Sequence, residues 1–255
     1  MIELDRWAVD RARQLQQEIV EAYANYQFHL IYQKIHNFCV NELGGFYLDV
    51  IKDRQYTTQP DSLPRRSCQT AMYHIIEAMV RWLSPILSFT ADEIWRSMPG
   101  ERGESVFLET WYEGLFALDA DDPFNRDFWQ RVIGVRESVG KAMESFRAAG
   151  NSSLDAELAL YCDDSLKAQL DRLEDELRFV LITSEAKLYP LADKPQQAAE
   201  TDDPGLAVVV SASPHGKCVR CWHHREDVGA NSEHPELCGR CVENVTGKGE
   251  ARRFA

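Results

Sequence analysis

The chain has 255 residues, 44% of them hydrophobic, enough to bury one large core and one or two small ones. No run approaches the roughly 20 apolar residues a membrane span needs, and the charged opening Met1-Ile2-Glu3-Leu4-Asp5-Arg6 argues against a signal peptide, so a soluble cytoplasmic protein is expected. Twenty-eight basic against 41 acidic residues give a net charge of -13, which opposes the usual footprint of a nucleic-acid binder: DNA is not expected, and any RNA contact must be local.

The first predicted helix carries Leu4, Ala8, Ala12, Leu15, Ile19, Ala22 and Tyr26 at steps of three or four, on one face. A second carries Phe28, Ile31, Ile35 and Phe38, and its pattern loosens at Gly44-Gly45. Residues 56–64, rich in Thr, Pro, Asp and Ser, predict a loop, after which Ala71, Ile75, Ala78 and Trp82 restart a helical stripe that Pro85 should end. Thr90-Ala91-Asp92-Glu93 has capping-box spacing before a short helix through Ile94 and Trp95, stopped by Pro99-Gly100. Residues 1–115 thus predict an antiparallel helical bundle, closed by a short extended piece at 106–111.

A second block, 116–213, opens with Phe128, Val132, Val135, Val139, Met143 and Phe146 at helical spacing. It then alternates with period two at Leu154, Ala156, Leu158 and Leu160. A helix over 165–184 and strands at 186–189 and 206–211 complete a small α+β unit, whose polar stretch 192–205 predicts a mobile surface loop. No internal repeat is evident, so the fold class is mainly α: the bundle, the α+β unit, and a four-cysteine module over 214–255.

That last module carries the one specific chemical motif. Cys218-Val219-Arg220-Cys221 and Cys238-Gly239-Arg240-Cys241 are two C-x-x-C knuckles 16 residues apart, a spacing suited to a closed, structural zinc-ribbon-like site holding one Zn2+. A redox pair, an iron-sulfur cluster, or one of His215, His223, His224 and His234 as a ligand are the alternatives. Lys217, Arg220, Trp222, Arg225, Arg240, Lys248, Arg252 and Arg253 surround the knuckles, a mix suited to phosphate pairing and base stacking. Six acids lie among them, so each cation is equally an ordinary solvated charge, and Trp222 is as well suited to packing on the knuckle. No Gly-rich phosphate loop or nucleophile signature is present, and Asp121-Asp122 and Asp163-Asp164 read as turns or caps.

Three segments carry a family likeness: Leu4-Asp5-Arg6-Trp7-Ala8, the run from Phe46 to Tyr56, and the run from Trp82 to Trp95. They resemble the anticodon-binding helical domain of class I isoleucyl- and valyl-tRNA synthetases, and the run from Lys217 to Cys241 resembles the C-terminal zinc module of the bacterial isoleucine enzyme. The resemblance implies a longer enzyme that uses ATP to attach isoleucine to its tRNA, with catalytic and editing domains elsewhere. Neither ATP-site signature of the family, His-x-Gly-His or Lys-Met-Ser-Lys-Ser, is present, so an inactive fragment is expected. By resemblance Cys218, Cys221, Cys238 and Cys241 are zinc ligands and isoleucine tRNA is the partner. Candidate contacts are Trp222, Arg220 and Arg225, with Arg54, Arg65 and Arg66 after them; a solvated first helical turn is the other role open to Arg65 and Arg66. Two rival functions are a zinc-ribbon adaptor for protein partners and a stand-alone synthetase-like paralogue.

Overall fold

The structure, a computed structural model, describes residues 1–255. The chain divides into two compact units, one of residues 3–49 and 66–122, the other of 50–65 and 123–255.

The first unit is helical. Its α1 (Glu3–Ala24) buries Leu4, Ala8, Ala12, Leu15, Ile19 and Ala22, the stripe its periodicity predicts. Tyr26 departs from that stripe: it lies past the helix end in the left-handed region at φ 53 and is 80% exposed. Three acids buried in this unit would be costly without partners. Asp5 accepts from Tyr47 Oη at 2.8 Å and from Ser67 Oγ, and Asp10 accepts from the Leu118 amide at 3.0 Å. Glu77 is bound by Arg81 at 2.6 Å and Arg102 at 3.1 Å.

Next, α2 (Phe28–Asn37) continues into ten residues wound as a π-helix, Phe38–Tyr47, and then into α3 (Leu48–Thr57). The loosened pattern at Gly44-Gly45 is therefore wider winding and not a break. A Cβ on Gly44 would stand 3.0 Å from the carbonyl oxygen of Cys39, five residues back, so the winding favours glycine there.

The predicted loop is shorter than 56–64, since α3 runs to Thr57 and α4 (Leu63–Leu83) starts at 63. Ala71, Ile75, Ala78 and Trp82 are buried on α4, which stops two residues before Pro85. The capping box at Thr90 does not form. The turn after Leu83 carries the chain into α5 (Ser88–Ser97) three residues earlier, leaving Thr90 inside the helix and Leu87 at its N-cap. Nor is 106–111 extended throughout: Val106–Leu108 is a 3-10 turn capped by Ser105.

In the second unit, α6 (Arg126–Ala142) buries Phe128, Trp129, Val132, Val135 and Val139, and α7 (Glu144–Ala148) follows. A four-stranded mixed sheet has the order β2-β1-β4-β3. Its centre, β1 (Ala156–Cys162), alternates buried and half-buried residues. The 165–184 region is not one helix but α8 (Asp164–Leu170), a 3-10 segment with Glu174 at φ 50, and α9 (Leu177–Leu181). Asp163 caps α8 through the Leu166 amide at 2.8 Å, the turn role its position suggests. β2 (Glu185–Pro190) runs parallel to β1, and β4 (Leu206–Ala212) antiparallel. The polar stretch 192–205 contributes β3 (Ala199–Glu200), and Lys141 and Arg131 pair with Asp202 and Asp203 at 2.5 Å, local anchors that composition does not reveal. No helix is long and apolar enough to cross a membrane.

Candidate metal centre and its surroundings

The centre is built from two tight turns. A short hairpin of β5 (Gly216–Lys217) and β6 (His224–Arg225) brings Cys218 back under its own loop: the Cys218 amide donates to the His223 carbonyl at 2.9 Å, and the Trp222 amide to the Cys218 carbonyl at 2.9 Å. Cys238 sits at the N-cap of α10 (Gly239–Thr246), which carries Cys241 in its first turn. The Val219 amide donates to the Glu236 carbonyl at 3.2 Å, tying one knuckle to the other. The Gly239 amide donates to Asp227 at 3.0 Å, and a Cβ on Gly239 would stand 2.7 Å from that same oxygen.

All four thiols are buried, and their sulfurs lie within 4.8 Å of one another. The Cys221 and Cys238 sulfurs are 3.7 Å apart, close to the edge of about 3.8 Å that a tetrahedron with zinc-sulfur bonds near 2.3 Å requires. No histidine joins the group. His224 instead bonds the His215 carbonyl at 2.8 Å and Asp155 at 3.1 Å. His223 is buried, with Nδ1 3.3 Å from Arg178 Nη1 and Nε2 3.8 Å from Asp53. Because arginine only donates, Nδ1 is the acceptor and the ring proton belongs on Nε2. Burial lowers this ring to about 4 against the pull of Asp53, so it is neutral at pH 7.

Asp53 on α3 organises the surroundings, a role the sequence did not single out. Arg240 grips its carboxylate with both guanidinium nitrogens, at 2.6 and 2.8 Å, and Arg252 adds a further bond. Burial alone would raise the Asp53 carboxyl; the Arg240 and Arg252 charges outweigh it and hold it well below the usual carboxylate range. Glu250 pairs with the same two arginines at 3.1 Å each. The Phe179 ring lies beneath three guanidiniums, those of Arg252, Arg178 and Arg240, at 3.2, 3.9 and 5.0 Å. Beyond them, the Arg253, Phe254 and Ala255 amides all donate to the Glu176 carboxylate at 2.8 Å.

The structure sorts the candidate RNA contacts by what they already touch. Arg54 is fully buried and donates to the Pro64 carbonyl at 3.2 Å, which removes it from any RNA-facing surface. Arg220 is half-buried, donating to the Thr57 carbonyl at 2.6 Å with Cys241 Sγ 3.8 Å away, so it serves the thiol cluster and its attachment to α3. Arg225 is half-buried against the Ser184 carbonyl at 3.2 Å. Arg240 and Arg252, suited in sequence to phosphate pairing, are committed to Asp53 and Glu250. Arg66 is exposed and Arg65 half-buried on the first turn of α4. Trp222 is 61% exposed, at φ 65 in the left-handed region.

Comparisons with known proteins agree with this geometry. Residues 5–162 match the family described as the anticodon-binding domain of tRNA ligase, and residues 216–244 match the zinc finger found in FPG and IleRS. The whole chain is 63% identical to an isoleucine-tRNA ligase of Thioalkalivibrio sulfidiphilus and 60% identical to one of Alkalilimnicola ehrlichii, covering 28% of each. It is 58% identical to that of Pseudomonas aeruginosa strain PAO1, covering 27% of it. The chain therefore spans about 28% of the length of the curated relatives it matches. With a family match running from the first helix through β1, the chain belongs to the anticodon-binding domain family of tRNA ligases.

Proposed function

We propose that this chain is the tRNA-holding portion of an isoleucine-tRNA ligase, and that the longer protein uses ATP to attach isoleucine to its tRNA. In this reading Cys218, Cys221, Cys238 and Cys241 hold one Zn2+ as thiolates. The ion has no open position, so its contribution is structural: it fixes the two turns and with them the posture of Trp222. The exposed indole of Trp222 beside a closed four-thiol cluster carries the reading, since a rigid aromatic displayed next to a structural metal is suited to stacking on an unpaired base. Arg225, Arg65 and Arg66 are the candidates for phosphate pairing, with Arg220 supporting the metal site and contributing only its outer face.

At a net charge of -13, long-range repulsion suppresses non-specific association and leaves affinity to a few directed contacts. About three phosphate contacts to a single-stranded loop give a log-log salt slope of roughly -2. The test is a titration of isoleucine tRNA into the wild-type chain, its metal-stripped form, Trp222→Ala and Arg225→Ala at several salt concentrations, with zinc content and melting checked for each. Weaker binding by Trp222→Ala at unchanged zinc content is expected. Affinity unchanged in all three altered forms would remove the zinc module from tRNA recognition.

A further inference from the structure

Both knuckles carry an arginine immediately before their second cysteine, Arg220 ahead of Cys221 and Arg240 ahead of Cys241. The two side chains converge on one residue. Arg220 Nη1 donates to the Thr57 carbonyl at 2.6 Å, and Arg240 Nη1 meets the Thr57 hydroxyl at 3.3 Å while gripping Asp53 one turn earlier. Thr57 is the last residue of α3 and is 4% exposed. A third contact lies beyond the second knuckle, where α10 runs into the turn at Gly247, whose carbonyl accepts from Gln59 Nε2 at 2.9 Å.

The end of α3 depends on such outside donors. The last carbonyls of a helix lack partners within it, and a glycine commonly turns the chain back to cover them. Here Thr57 is followed by Thr58-Gln59-Pro60-Asp61-Ser62, with no glycine. Thr58 serves the Arg54 carbonyl with its amide and its hydroxyl, at 3.3 and 2.7 Å. The Thr57 carbonyl is met by Arg220, 163 positions later, whose charge also suits the negative end of the helix dipole. The same guanidinium nitrogen lies 3.8 Å from Cys241 Sγ, and its two hydrogens allow it to donate to the carbonyl and the sulfur together. Four thiolates around one Zn2+ keep a net negative charge, so this donor stabilises a loaded cluster more than protonated thiols. A shared ion also fixes the spacing of the two knuckles, the condition for arginines from both to reach a single residue.

We infer that Arg220 is a positioning residue that couples zinc occupancy to the end of α3: with the ion bound, Arg220 and Arg240 close on Thr57, and without it the last turn of α3 and residues 58–62 open. This rests on the zinc reading proposed above and carries it outside the module, since Thr57 lies in the stretch matching the anticodon-binding family. The coupling is reciprocal: whatever factor zinc adds to closure of α3, closure of α3 adds to the hold on zinc.

The experiment follows two readouts on the intact chain under reducing conditions: zinc affinity by competition with a chromophoric chelator, and amide exchange across α3 and residues 58–62 in loaded and stripped protein. The variants are Arg220→Met, Arg220→Lys and Thr57→Val, with Arg96→Met, 73% exposed on α5, as control. Stripping the wild type should speed exchange at Thr57 and Thr58 by about tenfold or more, while Val132 and Val135 on α6 change by less than about threefold. Arg220→Met should weaken zinc by about tenfold or more. It should also open α3 in the loaded protein yet add less than about twofold in the stripped one, where its contact is already lost. Arg220→Lys keeps a charged donor and should stay within about threefold of wild-type protection. Thr57→Val replaces no ligand and should still weaken zinc by about threefold or more. Arg96→Met should leave both readouts within about twofold. If Arg220→Met costs α3 equally in loaded and stripped protein, or Thr57→Val leaves zinc affinity unchanged, the inference is overturned with the metal site intact. The same holds if α6 opens as far as α3 on stripping. If the wild-type chain takes up no zinc, the metal reading itself fails and the coupling falls with it.

Discussion

Replacing Asp53 with asparagine removes one charge from a site where two buried cations depend on it. The isosteric amide keeps the shape of the carboxylate but cannot accept from Arg240 along both edges while also serving Arg252. Arg252 is 2% exposed and Arg240 12%, so neither recovers much hydration in place, and Glu250 is left to balance both. Breaking a buried pair by removing one partner costs about 3 to 5 kcal/mol, and the surviving Glu250 contacts place the loss near the lower end, about 3 kcal/mol. For a unit of this size that corresponds to a drop of roughly 6 to 12 °C in melting temperature. Circular dichroism melts at fixed zinc content measure it directly, and a double-mutant cycle with Arg252→Gln should return a coupling of about 1 kcal/mol or more. The gap should also be flat from about pH 6 to about pH 8. A carboxylate held below its ordinary 3.8 contributes its full stability above that value and loses it only as pH falls through the lowered one, and His223 at about 4 is neutral across the range. A melting change under about 2 °C, or a cycle that closes at zero, would refute the assignment of Asp53 as the anchor of the tail.

The purified chain should bind one zinc through four sulfurs, read by metal analysis and sulfur-edge spectroscopy; a stoichiometry near zero under reducing conditions, or two nitrogens in the shell, contradicts this. Cys218→Ser should abolish zinc binding and melt the knuckles while the helical unit of 3–49 and 66–122 keeps a separate transition, and one wholly lost transition would count against that modularity. The chain alone should not support isoleucine-dependent exchange of pyrophosphate into ATP, because it carries no nucleotide-cradling loop; exchange by contaminant-free protein would overturn the expectation.

The core helices were legible because apolar spacing and burial share one cause: Leu4 through Ala22 on α1 and Phe128 through Val139 on α6 are buried as their periods require. The four thiols were legible because knuckle spacing constrains sulfur positions locally. Elsewhere distant packing overrode local signals. Glu174 at positive φ breaks an apparently continuous helix, and the turn after Leu83 starts α5 ahead of its capping box. Arg54 reads as an available cation in sequence, whereas its burial is set by the Pro64 carbonyl after the following turn. The Asp53 anchor was invisible for a plainer reason: it sits 187 residues from Arg240, and no periodicity links them. The rings of Tyr26 and Phe28 look like core in the sequence until their exposure is known.

The two carboxylates that receive the tail are made long before their partners. At about 5 to 20 residues per second, Asp53 waits roughly 10 to 40 s for Arg240, 187 positions later, and Glu176 waits roughly 4 to 15 s for the Arg253 amide, 77 positions later. Until then Asp53 lacks its two arginines and Glu176 the three backbone amides that bind it. The nascent second unit must therefore pass through a stage in which α3 and α9 flank open, negatively charged seats. The order of synthesis makes the basic tail the closing piece of that unit, with the zinc knuckles emerging just ahead of it.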